Sequence, residues 1–265
     1  VLTCKNIEVE FDGFKAVNGV DLELRRGEVH FLIGPNGAGK TTLVDAITGL
    51  AKYTGSVVKN GTELRGKKVH HIARQGIGRT FQTATVFENL TVAQNLDIAA
   101  GSGRSPWTLL RRRKHLPDNV TATMQRIGLA DQAETPAGIL AHGQKQWLEI
   151  GMLLVGDADV LLLDEPIAGM GHDERETTGR LLHDIAEDRA VAVVEHDMDF
   201  MRAFASRVTV LHAGAVLATG SVDDVSSDPR VQAVYLGTAS AESDPPSDEP
   251  GAESSDKETA DVATA

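Results

Sequence analysis

A single cysteine, Cys4, stands among 265 residues, so no disulfide can form within the chain and a reducing compartment is the natural setting. Long apolar runs are missing as well. A bilayer-spanning helix needs about 20 consecutive apolar residues, and the longest candidate, between Ile150 and Leu163, is interrupted by Asp157 and Asp159. Any membrane association is therefore expected to be peripheral. The start, Val1-Leu2-Thr3, has neither the basic opening nor the apolar centre of a secretory signal. Internal repeats are absent. So is a surplus of positive charge, because the formal net charge is -12. Much of that charge sits at one end: from Ala239 to Ala265 eight acids face one base, Lys257, a charge of -7 that leaves only about -5 on the body. This stretch is rich in Ser, Pro and Asp and nearly free of large apolar residues, so it cannot offset the entropy of ordering itself. Residues 238–265 are expected to form a disordered acidic tail. A body with no extended basic groove excludes nucleic acid as a partner.

What the chain does contain is an alternation of apolar runs and helical patterns. Val29 to Ile33 meets a glycine-rich turn at Gly34, and from Lys40 onward Leu43, Val44 and Ile47 recur at helical spacing until Gly49. Val160 to Leu163 ends in two acids, and Val191 to Val194 ends in Glu195-His196. Continuous aliphatic runs of this kind suit strands buried on both faces of a parallel sheet. Val208–Leu211 and Ala215–Ala218, separated by His212-Ala213-Gly214, predict a hairpin. Residues 83–155 look mainly helical, with a polar, basic interruption from Arg104 to Asn119, and are expected to form a helical lobe inserted into an α/β core.

The chemistry gathers at two motifs. Gly34-Pro35-Asn36-Gly37-Ala38-Gly39-Lys40-Thr41 fits G-x-x-x-x-G-K-[ST] in the strand-loop-helix setting that motif requires. Glycines let backbone N–H groups wrap phosphates, and the positive end of the following helix favours their charge. Lys40 is expected to reach the β- and γ-phosphates and Thr41 to ligate Mg²⁺, with Thr42 adding to the nucleotide contacts. Leu161-Leu162-Leu163-Asp164-Glu165 delivers carboxylates to the carboxyl end of a strand, where α/β sheets place their ligands. Asp164 is expected to hold Mg²⁺ through water and Glu165 to act as general base on the attacking water.

These motifs resemble those of the ABC ATPase family, and the resemblance runs over roughly residues 2 to 237. Leu140-Ala141-His142-Gly143-Gln144 occupies the place of that family's signature and ends 20 residues before Asp164. Gln82, in Gly78-Arg79-Thr80-Phe81-Gln82, resembles the glutamine that senses the γ-phosphate and metal, His196 resembles the switch histidine, and Phe11 stands where the family stacks an aromatic on adenine. The resemblance implies a RecA-like P-loop core over 1–237 with an antiparallel β subdomain near the N-terminus and an inserted helical lobe. It also implies Mg·ATP as the cofactor and two ATPase subunits closing head to tail, each signature facing the other's ATP. Transmembrane permease subunits and, indirectly, a solute-binding protein would be the further partners, at the cytoplasmic face of the inner membrane. Two positions depart from the pattern. The signature serine is replaced by Ala141, which has no donor and points to a heterodimer with a non-identical ATPase. The loop Ala168-Gly169-Met170-Gly171 lacks the aspartate many members carry.

Within the family, Gly76–Gln82 and Leu148–Met152 resemble the branched-chain amino-acid-type importers, and His142–Ile150 with Thr85–Thr91 resembles their urea-transporting members most. Urea is accordingly the expected solute and a branched-chain amino acid the alternative. A soluble ABC ATPase outside transport is a more distant rival, since the chain has no coiled coil, no second ATPase unit and no nucleic-acid module. Arg104, Arg111, Arg112, Arg113 and Lys114 with Trp107 face either lipid headgroups or the permease, or are a solvated loop.

Overall fold

The computed structural model describes residues 1–81, 85–101 and 116–241. Gln82, the basic cluster around Trp107 and the tail from 242 onward lie outside the described residues. The chain opens with an antiparallel hairpin, β1 (Leu2–Phe11) and β2 (Phe14–Leu24), turned at Asp12-Gly13, where both residues take positive φ. Next comes β3 (Val29–Ile33), buried at all five positions, which feeds the Gly34–Gly39 loop and α1 (Lys40–Thr48). Helix α1 stops where Gly49 adopts φ 78, a left-handed cap that side chains disfavour. Strands β4 (Thr54–Lys59) and β5 (Thr62–Glu63) complete a four-stranded sheet in the order β2-β1-β4-β5.

After α2 (Val69–Arg74) and the three-residue β6 (Ile77–Arg79) come α3 (Val92–Ala100), α4 (Asp118–Arg126) and α5 (His142–Val155), which pack on one another. The chain then returns to the sheet with β7 (Val160–Asp164), α6 (His172–Ala186), β8 (Ala190–Val194) and α7 (Met198–Phe204). It closes with the hairpin β9 (Arg207–His212) and β10 (Ala215–Gly220), then α8 (Val222–Ser226) and α9 (Pro229–Ala241). Helix α9 continues through Ala241 rather than stopping at 237. Alanines at 239 and 241 are strong helix formers and give it no reason to break earlier.

The larger sheet has six strands in the order β10-β9-β3-β8-β7-β6, all parallel except the edge strand β10. Side chains alternate across it, because strand periodicity is two. Phe31, Ile33, Leu161, Leu163 and Val193 face a core shared with α3 to α7, while Leu32, Leu162 and Val194 face α1 and the antiparallel sheet. Each such residue, fully buried, contributes about 1.5–3 kcal/mol. Because β3, β7 and β8 are adjacent and parallel, the Gly34 loop, Asp164-Glu165 and Glu195-His196 all emerge on one edge.

Candidate active site

The loop from Gly34 to Gly39 is wedged between β2 and the β9–β10 turn so closely that side chains would not fit. A Cβ on Gly34 would stand 2.2 Å from the Leu211 carbonyl oxygen and one on Gly39 2.4 Å from that of Ala16. Gly37 has the opposite surroundings: φ is 77, and nothing lies within 4 Å of where a Cβ would be. The loop therefore packs its back to the protein and opens its front to a cleft of about 390 Å³. Asn36 to Thr42 form one wall of it, Asp164, Glu165 and Val194 another, and Phe11, Phe14 and Ala16 a third. Lys40 Nζ donates to the carbonyls of Gly34 at 2.7 Å and Pro35 at 3.0 Å. Burial lowers its pKa, while Glu165 and Asp164 oppose that shift.

On the facing wall Asp164 is almost wholly enclosed. Burial raises its carboxyl pKa, and the Arg79 guanidinium, with Nη2 3.3 Å from Oδ2, pulls it part of the way back. Its backbone N–H donates to Thr80 Oγ1 at 3.2 Å. Glu165 follows at φ 48, a left-handed conformation uncommon outside glycine and sustained only where surrounding structure over-determines it. Here the Glu165 N–H donates to Val194 O at 2.9 Å, which joins the ends of β7 and β8. His196 Nδ1 lies 3.6 Å from Glu165 Oε1 and 3.9 Å from Glu195 Oε2. Glu195 is only 2 % exposed. Burial raises its pKa, and the N–H groups of His196 and Ile167, which donate to the carboxylate, lower it.

The structure thus brings the glycine loop, Lys40, Thr41, Thr42, Asp164, Glu165 and Phe11 around one cleft and sets His196 beside Glu165. It does not bring Leu140 to Gln144 there. Those residues open α5, where Ala141 is the N-cap and offers no side-chain oxygen, and its N–H donates to Gln144 Oε1 at 3.1 Å. Gly143 lies against α6, and a Cβ there would stand 2.9 Å from Glu174 Oε1. Ala141 and His142 face outward. Phe11 is half exposed, which separates it from the core aromatics, and Phe14 beside it is more exposed still. Sequence reasoning missed Phe14, Glu195, Arg79 and Asp45. For Phe14 a signal existed, a second aromatic in the same turn; the other three are defined by partners far away in sequence.

Thr41 and Asp164 line the same cleft and offer hard oxygen donors, and no cluster of three or more His, Cys, Asp or Glu that could cage a metal occurs among the described residues. That donor set suits Mg²⁺, which is held by one or two protein oxygens together with substrate phosphates. A strand-end carboxylate, a glycine-rich anion cradle and a lysine converging on one cleft form the constellation of a P-loop nucleotide site.

Residues 17–168 match the family model described as ABC transporter. The chain belongs to the ABC transporter family. It is an ATPase of the ABC type, and residues 215–241 also match the model described as branched-chain amino acid ATP-binding cassette transporter. The high-affinity branched-chain amino acid transport ATP-binding protein LivG of Salmonella typhimurium is 36% identical over 251 residues, covering 90% of this chain and 98% of its own. BraF of Pseudomonas aeruginosa, named for the same transport, is 33% identical over 252 residues with the same coverage. Among solved structures, the ADP conformation of MJ1267, an ATP-binding cassette of an ABC transporter, superposes with TM-score 0.77 at 30% identity over 89% of this chain and 98% of its own. The ABC ATPase fold is therefore established. The urea assignment suggested by two segments gains no support from these relatives, whose names point to the branched-chain alternative.

Proposed function

We propose that this chain is the ATP-hydrolysing subunit of an importer of the branched-chain amino-acid type, working at the cytoplasmic face of the inner membrane. What carries the reading is the convergence of the glycine loop, Lys40, Thr41, Asp164 and Glu165 on one cleft. The branched-chain solute is supported by relatives that span nearly the whole chain and by the match at 215–241. In this reading the loop amides and Lys40 bind the phosphates, and Phe11 packs on adenine. Thr41 and Asp164 hold Mg²⁺, with Gln82 as a further contact to metal and γ-phosphate. When bound, the ion neutralises charge on the β- and γ-phosphates. Glu165 takes a proton from the attacking water, and His196, within reach of Glu165, holds the γ-phosphate side of the cleft.

Ala141 and His142 are exposed, and no residue from Leu140 to Gln144 lines the chain's own cleft, so this segment serves a second ATPase. The absence of a hydroxyl at Ala141 favours a non-identical partner. Permease subunits, with a solute-binding protein beyond them, convert closure and reopening of that pair into uptake. The solute is tested in a strain lacking this chain. Loss of labelled leucine uptake with urea uptake retained supports the proposal, and the reverse pattern moves the solute to urea, which the similarity of His142–Ile150 to urea-transporting members favours.

A further inference from the structure

Arg79 ends β6, the edge strand next to β7, and its side chain is 8% exposed although it carries a full charge. The guanidinium divides its fork between two elements. Nη2 lies 3.3 Å from Asp164 Oδ2 at the end of β7, and Nη1 donates to Asp45 Oδ1 on α1. The Phe81 ring completes the enclosure, its centroid 5.0 Å from Cζ. Asp45 stands one helical turn after Thr41, so the two share a face of α1. One side chain therefore ties the face of α1 that carries Thr41 to the strand end that carries Asp164. The backbone beneath it is held in register, since Thr80 N donates to Leu162 O at 3.0 Å and Asp164 N to Thr80 Oγ1 at 3.2 Å. Only a planar guanidinium serves two carboxylates in fixed directions; an ammonium is a point charge with rotatable donors.

We propose that Arg79 is a positioning residue for the metal pocket: bridging Asp45 and Asp164, it sets the spacing between Thr41 and Asp164. By occupying Oδ2 it leaves Oδ1 of Asp164 to the cation. The inference rests on the reading of Thr41 and Asp164 as the Mg²⁺ ligands. A bridge and a bare charge make opposite predictions. If Arg79 acted only as a neighbouring cation, weakening its contact would relieve repulsion and tighten Mg²⁺ binding; as a strut, its loss loosens the pocket.

The test measures binding of a fluorescent ATP analogue to the full-length chain with Mg²⁺ and with EDTA, and follows the affinity gained on adding the metal. In Arg79→Lys that gain falls about tenfold while affinity in EDTA stays within about twofold, the size expected of a partner that orients a metal ligand. Asp45→Asn shifts the gain in the same direction, and the double variant is no worse than the larger single effect, because both break one bridge. An unchanged or larger gain in Arg79→Lys overturns the proposal. So does an equal loss in Mg²⁺ and EDTA, which marks a general structural role. Asp164→Asn separates the two levels: if its Mg²⁺ gain is intact, the metal pocket itself is misread, whereas a lost gain there beside an intact one in Arg79→Lys removes only the strut.

Discussion

Burial works against the charge on Lys40, and two loop carbonyls are its hydrogen-bond partners. Terminal phosphates offer charge-assisted bonds roughly twice as strong, so in the proposed reading exchange of partners draws the ammonium to the nucleotide. Lys40→Ala is expected to weaken ATP binding by at least about tenfold, the scale of one charge-assisted bond; undiminished affinity in calorimetry would refute the phosphate role. Glu149 poses a different single-residue problem. It is 5% exposed on α5, Oε1 accepts from Thr85 N–H at 3.3 Å, and Oε2 is buried with no hydrogen-bond partner among the described residues. Burial pushes its pKa up to about 7. A carboxyl that holds its proton more tightly when folded supports the fold at low pH, and that support is lost as pH rises from the unfolded value, about 4.3, through the folded one. Glu149→Gln removes the charge that appears there. The variant is expected to gain on the order of 2 kcal/mol over the parent at pH 8, shrinking to nothing below about pH 4. His30, buried and lowered to about 4 chiefly by desolvation, acts in the opposite sense as pH falls. Denaturation of parent and variant side by side isolates Glu149, and a difference that does not change with pH would contradict this account.

At the scale of elements, local rules can be checked where packing does not obscure them. Helix α3 begins with a complete capping box: Thr91 Oγ1 accepts from Gln94 N at 3.2 Å, and Gln94 Oε1 accepts from Thr91 N at 2.9 Å. Thr91→Ala removes half of it and is expected to cost about 1 kcal/mol, or about 2–4 °C in Tm, with ATP affinity unchanged. A stable Thr91→Ala helix would mean that packing on α5 alone fixes its start. The same scale explains what could be read in advance. β3, β7 and β8 were legible because strands buried on both faces are continuous aliphatic runs, and the loop before α1 was legible because its glycines are required by contacts with Leu211 and Ala16. β6 and α2 were not, at three and six residues too short to show a period. The Arg79 bridge was hidden for another reason. Its carboxylates lie 34 and 85 residues away, and only the order of strands makes them neighbours. Glu195 carried no sign of its burial in the sequence; the N–H groups of Ile167 and His196 that donate to it come from turns that only the fold brings together.

At the scale of the molecule, the proposed reading puts phosphate binding and water activation in the cleft, while Leu140–Gln144 line no part of it. In the proposed reading a second ATPase caps the Lys40 site, and this chain's Leu140–Gln144 segment caps that of the partner. Glu165→Gln keeps size and a hydrogen-bond acceptor but loses basicity, so hydrolysis is expected to fall by at least about a hundredfold while Mg·ATP still binds. With hydrolysis blocked, ATP holds the closed pair together. Ala141 offers no hydroxyl to a facing γ-phosphate, so two copies of this chain would lack that contact at both interfaces. A mixed pair whose other member carries a signature serine would lack it at one only, and would keep it at the Lys40 site. The Glu165→Gln chain, mixed with such a partner and Mg·ATP, is expected to elute as a stable heterodimer in gel filtration, whereas alone it remains largely monomeric. Parental hydrolysis rates in the variant would exclude Glu165 as the base. An equally stable homodimer would exclude the asymmetric pairing without touching the ATPase assignment, because backbone N–H groups at the start of α5 would then suffice to hold the facing phosphate.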